Sequence, residues 1–246
     1  MFDHALQDYD VLRITRRLPS EVVDVLKAYP EEVFLTGGFI RSVVAGEVIN
    51  DIDLIVKDIH VAGVVAGQLQ GSSKKKVVKT DNAYTITRFR PAVQVIHRWT
   101  YDSAAACLAE FDFTIACSAL WWAEKANGGK GAWFSLCHSD FYADLAAKRL
   151  VYLAPKRHED AGGSMLRLLK FYRRGYTAPL TTVAGVITRT VAGVQDRALV
   201  RWADEDLEDE DIARYVTGLL HEVDPDIDPD HIVHEPGTPK VSAEEA

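Results

Sequence analysis

The stretch FLTGGFIRSVVAGEVINDIDLIVKD, residues 34–58, brings two glycines, an arginine and two closely spaced aspartates together. Asp51 and Asp53 are two apart in a β-branched, alternating run, so on a strand both side chains leave the same face. Two carboxylates side by side repel each other unless a divalent cation lies between them. Mg²⁺ suits such a pair, because it takes a few carboxylate oxygens and completes its octahedron with water and phosphate. Two such ions can activate an attacking hydroxyl and stabilise a leaving pyrophosphate. Gly37 and Gly38 join a short apolar strand to a helix, where glycine lets backbone amides approach a phosphate that the helix N-terminus also attracts. Arg41, one turn into that helix, adds a fixed positive charge. Each element alone is common: most D-x-D pairs are solvated edges, and most Gly-Gly pairs are turns. Their order along the chain is what describes a triphosphate held over metal.

The elements that must position these residues follow from periodicity. Apolar residues Val11, Leu12, Ile14, Val22, Val23, Val25 and Leu26 predict two helices broken at Pro19-Ser20, the second capped by Ser20. EVFLT is a strand, FIRSVVAG a helix closed by Gly46, and DIDLIV a strand. DIHVAGVVAGQLQ is a helix, followed by three successive strands in KKKVVKT, AYTITRF and AVQVIHRW. DSAAACLAE is a helix, TIACSALWWAE is a buried helix or strand, and the glycines from Gly128 to Gly131 make a turn. In SMLRLLKFYRRGY, Met165, Leu168, Leu169 and Tyr172 share one helical face, and Arg167, Lys170, Arg173 and Arg174 mostly share the other. Strands that follow one another without intervening helices exclude a doubly wound sheet and predict an α+β fold.

At this point the residues support a resemblance. LTGGFIRSVVAGEVINDIDLIV resembles the first motif of the polymerase-beta-like nucleotidyltransferase superfamily, in particular the head domain of bacterial-type poly(A) polymerases and CCA-adding tRNA nucleotidyltransferases, GG-x-x-R-D followed by D-x-D. EFDFTIACSALWW is similar to that family's R-R-D-F-T-I-N-A-L-A, DFYADLAAKRLVYL to a D-L segment, and HEDAGGSMLRLLKFYRRGY to an E-D-x-x-R motif with its following helix. The resemblance implies a small mixed sheet flanked by helices and then a helical neck. It implies Asp51 and Asp53 as the catalytic, Mg²⁺-binding pair, with Gly37, Gly38 and Arg41 at the triphosphate. Asp112 would hold the nucleotide sugar, and Glu159, Asp160 and Arg167 would lie near the base. The implied reaction moves a nucleoside monophosphate from an NTP to a hydroxyl, at an RNA or tRNA 3′ end, with release of pyrophosphate.

The departures concern the surroundings of the nucleotide. Ser42 stands where the family has Asp after the arginine, and Glu110-Phe111 replace an arginine pair. Gln94 occupies a strand position where many relatives carry a third carboxylate; an amide brings no negative charge and is no general base near neutral pH. Gly162, Gly163 and Ser164 fill the place of an expected proline and arginine. These changes point to altered nucleotide or acceptor choice, and a catalytically weakened nucleotide- or RNA-binding module is the alternative. About seventy residues follow the neck helix, too few for the helical domains with which a CCA-adding enzyme grips tRNA.

Composition sets outer bounds. The chain has 246 residues and a formal net charge of −8. Residues 204–246 contain fifteen acids and two bases, net −13, which leaves the preceding body at +5. A mildly basic body suits a polyanionic substrate, whereas the acidic stretch reads as a solubilising, disordered tail. The expected division is a head domain over 1–155, a helical neck over 156–203 and the tail over 204–246. Lysines 74–76 and 79 with Arg88, Arg90 and Arg98 predict either an RNA-binding stripe or a charged edge that discourages aggregation. The acids of 224–235 fall at calcium-loop offsets, but Pro229 replaces the glycine such a loop needs. Cys107, Cys117 and Cys137 have no paired spacing and read as buried free thiols. With no apolar run near ~20 residues and no signal-peptide pattern, the expected location is cytoplasmic.

Overall fold

The computed structural model of the protein describes residues 2–75, 77–124, 131–155 and 161–201, with 210, 213, 216 and 217. The chain divides into two compact units, Met1–Ala147 and Lys148–Ala246. The first contains, in order, β1 (Phe2–His4), α1 (Asp8–Arg17), α2 (Ser20–Ala28), β2 (Val33–Thr36), α3 (Gly38–Ala45), β3 (Asp51–Val56) and α4 (Ile59–Gln70). It continues with β4 (Val77–Lys79), β5 (Ala83–Ile86), β6 (Ala92–Ile96), α5 (Ala104–Leu108), a 3₁₀ turn (Thr114–Ala116), β7 (Ser118–Ala123), β8 (Ala132–His138) and α6 (Phe141–Ala146). The second holds α7 (Ala161–Arg173) and α8 (Leu180–Arg201).

The eight strands form one sheet in the order β1-β8-β7-β2-β3-β6-β5-β4. Of its pairings only β3 with β6 is parallel. This is the mixed α+β arrangement that strands without intervening helices predict. One sheet face is closed by helices: Val33, Leu35, Ile52, Leu54, Val56, Val93 and Val95 are fully buried, and α2, α3 and α4 contact the central strands. Burial of such side chains is worth roughly 1.5–3 kcal/mol each and supplies most of the force holding the unit together. The opposite face is partly covered by α5, whose Ala104 and Leu108 form an apolar cluster with Phe34 of β2 and Ala119 of β7.

The helix break at Pro19-Ser20 is present, but Ser20 is the first helical residue rather than the cap. Pro19 takes the cap position with φ −54° and ψ 144°, a backbone its ring already favours. The Ser20 hydroxyl bonds the Glu21 carboxylate at 3.1 Å instead. TIACSALWWAE resolves into the 3₁₀ turn and β7. β8 and β1 lie outside the elements expected from periodicity. In AWFSLCH apolar residues occupy both alternating sets, which removes the period-two contrast of a half-buried strand. β1 has three residues and is defined by pairing Phe2 with His138, far along the chain.

In α7 the expected apolar face is only partly the buried one. Leu166 and Phe171 are buried, whereas Leu169 and Tyr172 are exposed. Ser164, Leu166 and Phe171 are buried on the helix, with Tyr176 buried just beyond its end, so the buried side is not the face its hydrophobicity selects. The glycine turn at 128–131, except Gly131, the acidic stretch apart from four of its residues, and the calcium-loop segment lie outside the described residues. All three cysteines are buried and none forms a disulfide. Among the described residues no helix is long and apolar enough to cross a membrane.

Candidate active site

The sheet register assembles the first half of the site. Asp53 of β3 stands opposite Thr36 of β2 and beside Gln94 of β6. Gln94 in turn faces Thr85 of β5, and Thr36 faces Ala119 of β7. Directly opposed residues share a face, so Thr85, Gln94, Asp53, Thr36 and Ala119 form one row across five strands. Asp51 lies two residues from Asp53 on the same face, with fully buried Ile52 between them pointing into the core. Both carboxylates are half-buried, because α5 covers the row only at its β7 and β8 end.

The glycine turn forms the second half. β2 ends at Thr36, and Gly37 has φ +63° and ψ −119°, a conformation essentially restricted to glycine. Its N–H donates to the Ser118 carbonyl at 3.0 Å, which anchors the turn to β7. A Cβ here would lie 3.1 Å from Cε1 of Phe111, so a side chain would also press on that ring. Gly38 opens α3, and a Cβ on it would sit 3.7 Å from Oδ1 of Asp51. The first aspartate is therefore set against the N-terminal turn of α3, whose leading N–H groups lack intrahelical acceptors. A phosphate bridging those amides and a cation on Asp51 would be neutralised from both sides.

Arg41 is in the next turn of α3 and is buried, 7% exposed. Its Nη2 donates to Ser42 Oγ at 3.2 Å, and its Nε lies 3.7 Å from Glu47 Oε2. Left-handed Gly46 closes α3, and the Glu47 N–H bonds back to the Ser42 carbonyl at 2.9 Å. That return brings Glu47 over the arginine. Spacing gave no signal for Glu47, since a contact across six residues appears only once the helix ends in this reversal.

Asp112 is buried and follows Phe111, whose ring rests on Gly37. Burial, reinforced by the charge of Asp112 and by the two other thiols, pushes the Cys117 thiol well above its ordinary pKa. Next to it, Thr114 Oγ1 donates to Asp144 Oδ2 at 2.6 Å. This bond joins the D-F-T segment to the D-L segment of α6 inside the core, and Asp144 is fully buried. Glu159 and Asp160 lie outside the described residues, and Arg167 is half-buried on α7 in the second unit.

The proposed basic stripe is thinner than the sequence suggests. Arg88 pairs with Glu21 at 3.1 Å, donates to the Leu69 carbonyl and lies over the Phe89 ring, so it ties α2 and α4 to the sheet. Arg98 bonds Asn82 at 2.8 Å and stacks on Trp99. Lys74, Lys75, Lys79 and Arg90 remain exposed.

Among the described residues no group of three or more His, Cys, Asp or Glu is placed to hold a metal. Two carboxylates with an adjacent amide and hydroxyl nevertheless fit Mg²⁺, which commonly takes only one or two protein carboxylates and completes its shell with water and substrate phosphate.

The sequence profile of the Gabija anti-defense 2 family matches residues 6–148. No curated protein matches the chain. Among solved structures, the Thermotoga maritima CCA-adding enzyme complexed with tRNA is similar at TM-score 0.54 and 16% identity, covering 91% of this chain and 57% of that one. A CCA-adding enzyme with CTP gives TM-score 0.54 and 19% identity, covering 89% of this chain and 51% of that one. A complex with ATP gives TM-score 0.55 and 18% identity, covering 87% and 51%. The chain thus shares its fold with these CCA-adding enzymes and spans a little over half the length of these structures.

Proposed function

The chain belongs to the Gabija anti-defense 2 family, and from that premise we propose that it counters Gabija as a Mg²⁺-dependent nucleotidyltransferase. It would move a nucleoside monophosphate from an NTP to a hydroxyl and release pyrophosphate. The observation that carries this reading is the placement of Asp51 and Asp53 on one sheet face, with Asp51 against the N-terminal turn of α3. Asp51 and Asp53 hold the metal, and the Gly37-Gly38 amides receive the triphosphate. Arg41 contributes positive charge from the next turn, and Asp112 supports the sugar side. Bound Mg²⁺ supplies Lewis-acid activation of the hydroxyl and neutralises charge on the departing pyrophosphate. Gln94 leaves the acceptor without a side-chain base, so the carboxylates act by holding and orienting metal rather than by taking the proton.

For the acceptor we favour an RNA 3′ end, tRNA included. Its support is that the structures similar to this chain are CCA-adding enzymes in complex with tRNA, CTP and ATP. Glu159, Asp160 and Arg167 are proposed near the base. The acidic stretch is assigned no part in the chemistry.

The test is to incubate the protein with Mg²⁺, each labelled NTP in turn and an RNA pool containing tRNA without its 3′ end, beside Asp51→Ala/Asp53→Ala. Labelled RNA that disappears in the double variant is the expected result and identifies the nucleotide. A second reading, a nucleotide-binding module without turnover, is favoured by Gln94 beside Asp53 and by the Glu47 carboxylate over Arg41. Mg²⁺-dependent NTP binding with neither label transfer nor pyrophosphate release would select it.

A further inference from the structure

We propose that Glu47 is a built-in counterion that occupies Arg41 until the triphosphate of an incoming nucleotide displaces it. The inference rests on the assignment of a triphosphate to the turn at Gly37-Gly38 and concerns how that site is held before nucleotide arrives.

Three observations carry it. The Arg41 guanidinium is nearly closed off, its side chain 9% exposed, and the Glu47 side chain that faces it is 16% exposed. A triphosphate reaching this cation must therefore replace part of what covers it. Glu47 is attached to a short return after α3 rather than to the helix itself. Gly46 is left-handed, and the next residue, Val48, is 80% exposed. In the proposal it is this surface return, with the Glu47 side chain, that moves outward. The grip is also a loose one: the ion-pair distance of 3.7 Å is longer than the roughly 2.7–2.9 Å of a strong charge-assisted hydrogen bond. Arg41 Nη2 remains bonded to Ser42 Oγ at 3.2 Å, so the guanidinium keeps its place when the carboxylate leaves.

Counter-charge stabilises a buried arginine, and in the nucleotide-free protein Glu47 contributes part of it. The same carboxylate lowers apparent nucleotide affinity, because only the fraction of molecules in which it has moved aside is competent to bind. It acts as a threshold against weakly charged anions: a triphosphate carries enough charge to exchange with a carboxylate, whereas a monophosphate does so poorly.

The experiment measures binding of Mg-ATP, Mg-CTP and inorganic tripolyphosphate by calorimetry to wild type, Glu47→Gln, Glu47→Asp, Arg41→Gln and the Arg41→Gln/Glu47→Gln pair. Glu47→Gln should bind all three about tenfold tighter, the gain expected if the wild-type site is open about one time in ten. Glu47→Asp should gain less, which keeps the test decisive if the neutral variant folds poorly. The gain should vanish on the Arg41→Gln background. Unchanged or weaker binding in Glu47→Gln and Glu47→Asp, with label transfer by wild type intact, overturns the counterion role and leaves the transferase standing. No binding of any of the three ligands to any variant overturns both.

Discussion

Asp53 and Gln94 sit side by side on neighbouring parallel strands, so position 94 decides whether a third carboxylate joins the row. Replacing Gln94 with Asp places a third carboxylate in the row. It is expected to lower the Mg²⁺ concentration at half-maximal transfer and to raise kcat; a titration of rate against Mg²⁺ reads both. Gln94→Ala is expected to cost less than about tenfold, since the amide brings neither charge nor basicity. Gly37 is constrained by a different kind of physics. Its positive φ strains any side chain, and the Phe111 ring 3.1 Å from an added Cβ would have to shift to admit one in Gly37→Ala. The expected loss is about 1–3 kcal/mol by urea denaturation. Adding Phe111→Ala should recover only the steric part, because the backbone strain remains.

Among the elements, two connections decide whether the row of side chains stays assembled. The Thr114 to Asp144 bond fixes the 3₁₀ turn before β7 against α6 deep in the core. Thr114→Val removes one donor from a fully buried carboxylate and should destabilise the unit by about 1–3 kcal/mol, measured as a shift in denaturation midpoint. The second connection is Arg88, which ties α2 to the β5–β6 turn through Glu21. Hydrogen bonding from its own backbone amide and from Ser20, with Arg88 adding charge, holds the Glu21 carboxyl below its ordinary value. A depressed carboxylate pKa contributes stability above the unfolded value, and that contribution is lost as pH falls through the lowered folded value. Arg88→Met is expected to move the Glu21 titration upward only in part, since the two larger contributions remain; NMR titration of the side chain measures this. Because Glu21 is exposed, the associated stability change is small.

At the scale of the whole molecule, the complete sheet lies within Met1–Ala147, together with Asp51, Asp53, Gln94 and the glycine turn. A fragment ending at Ala147 is therefore expected to melt in a single cooperative transition by calorimetry. The same unit encloses Cys107, Cys117 and Cys137, all buried, with burial raising the Cys117 thiol. Thiolate is the reactive form. All three are expected to resist a disulfide reagent at pH 8 in the native state and to react together on denaturation, so thiol labelling reports global opening of the sheet.

The amino-acid sequence by itself determined the strand, glycine turn, helix and D-x-D strand. Each is written in local signals: an apolar run, residues tolerant of positive φ, a left-handed cap at Gly46 and the alternation that opens the β-branched run DIDLIV. Their order was enough to support the resemblance to nucleotidyltransferases and the expectation of a metal pair at Asp51 and Asp53. It also showed Gln94 as a departure before any strand was paired. Tertiary structure decided what depends on contacts between distant residues: Gln94 beside Asp53, Asp51 against the start of α3, Phe111 upon Gly37 and Glu47 over Arg41. It also added β8 and β1, whose signal lies in their partners, and turned α7 so that Leu169 and Tyr172 face outward. The physical reason is the same in each case: hydrophobic period and turn chemistry act within a few residues, whereas register and burial are settled only when the sheet closes.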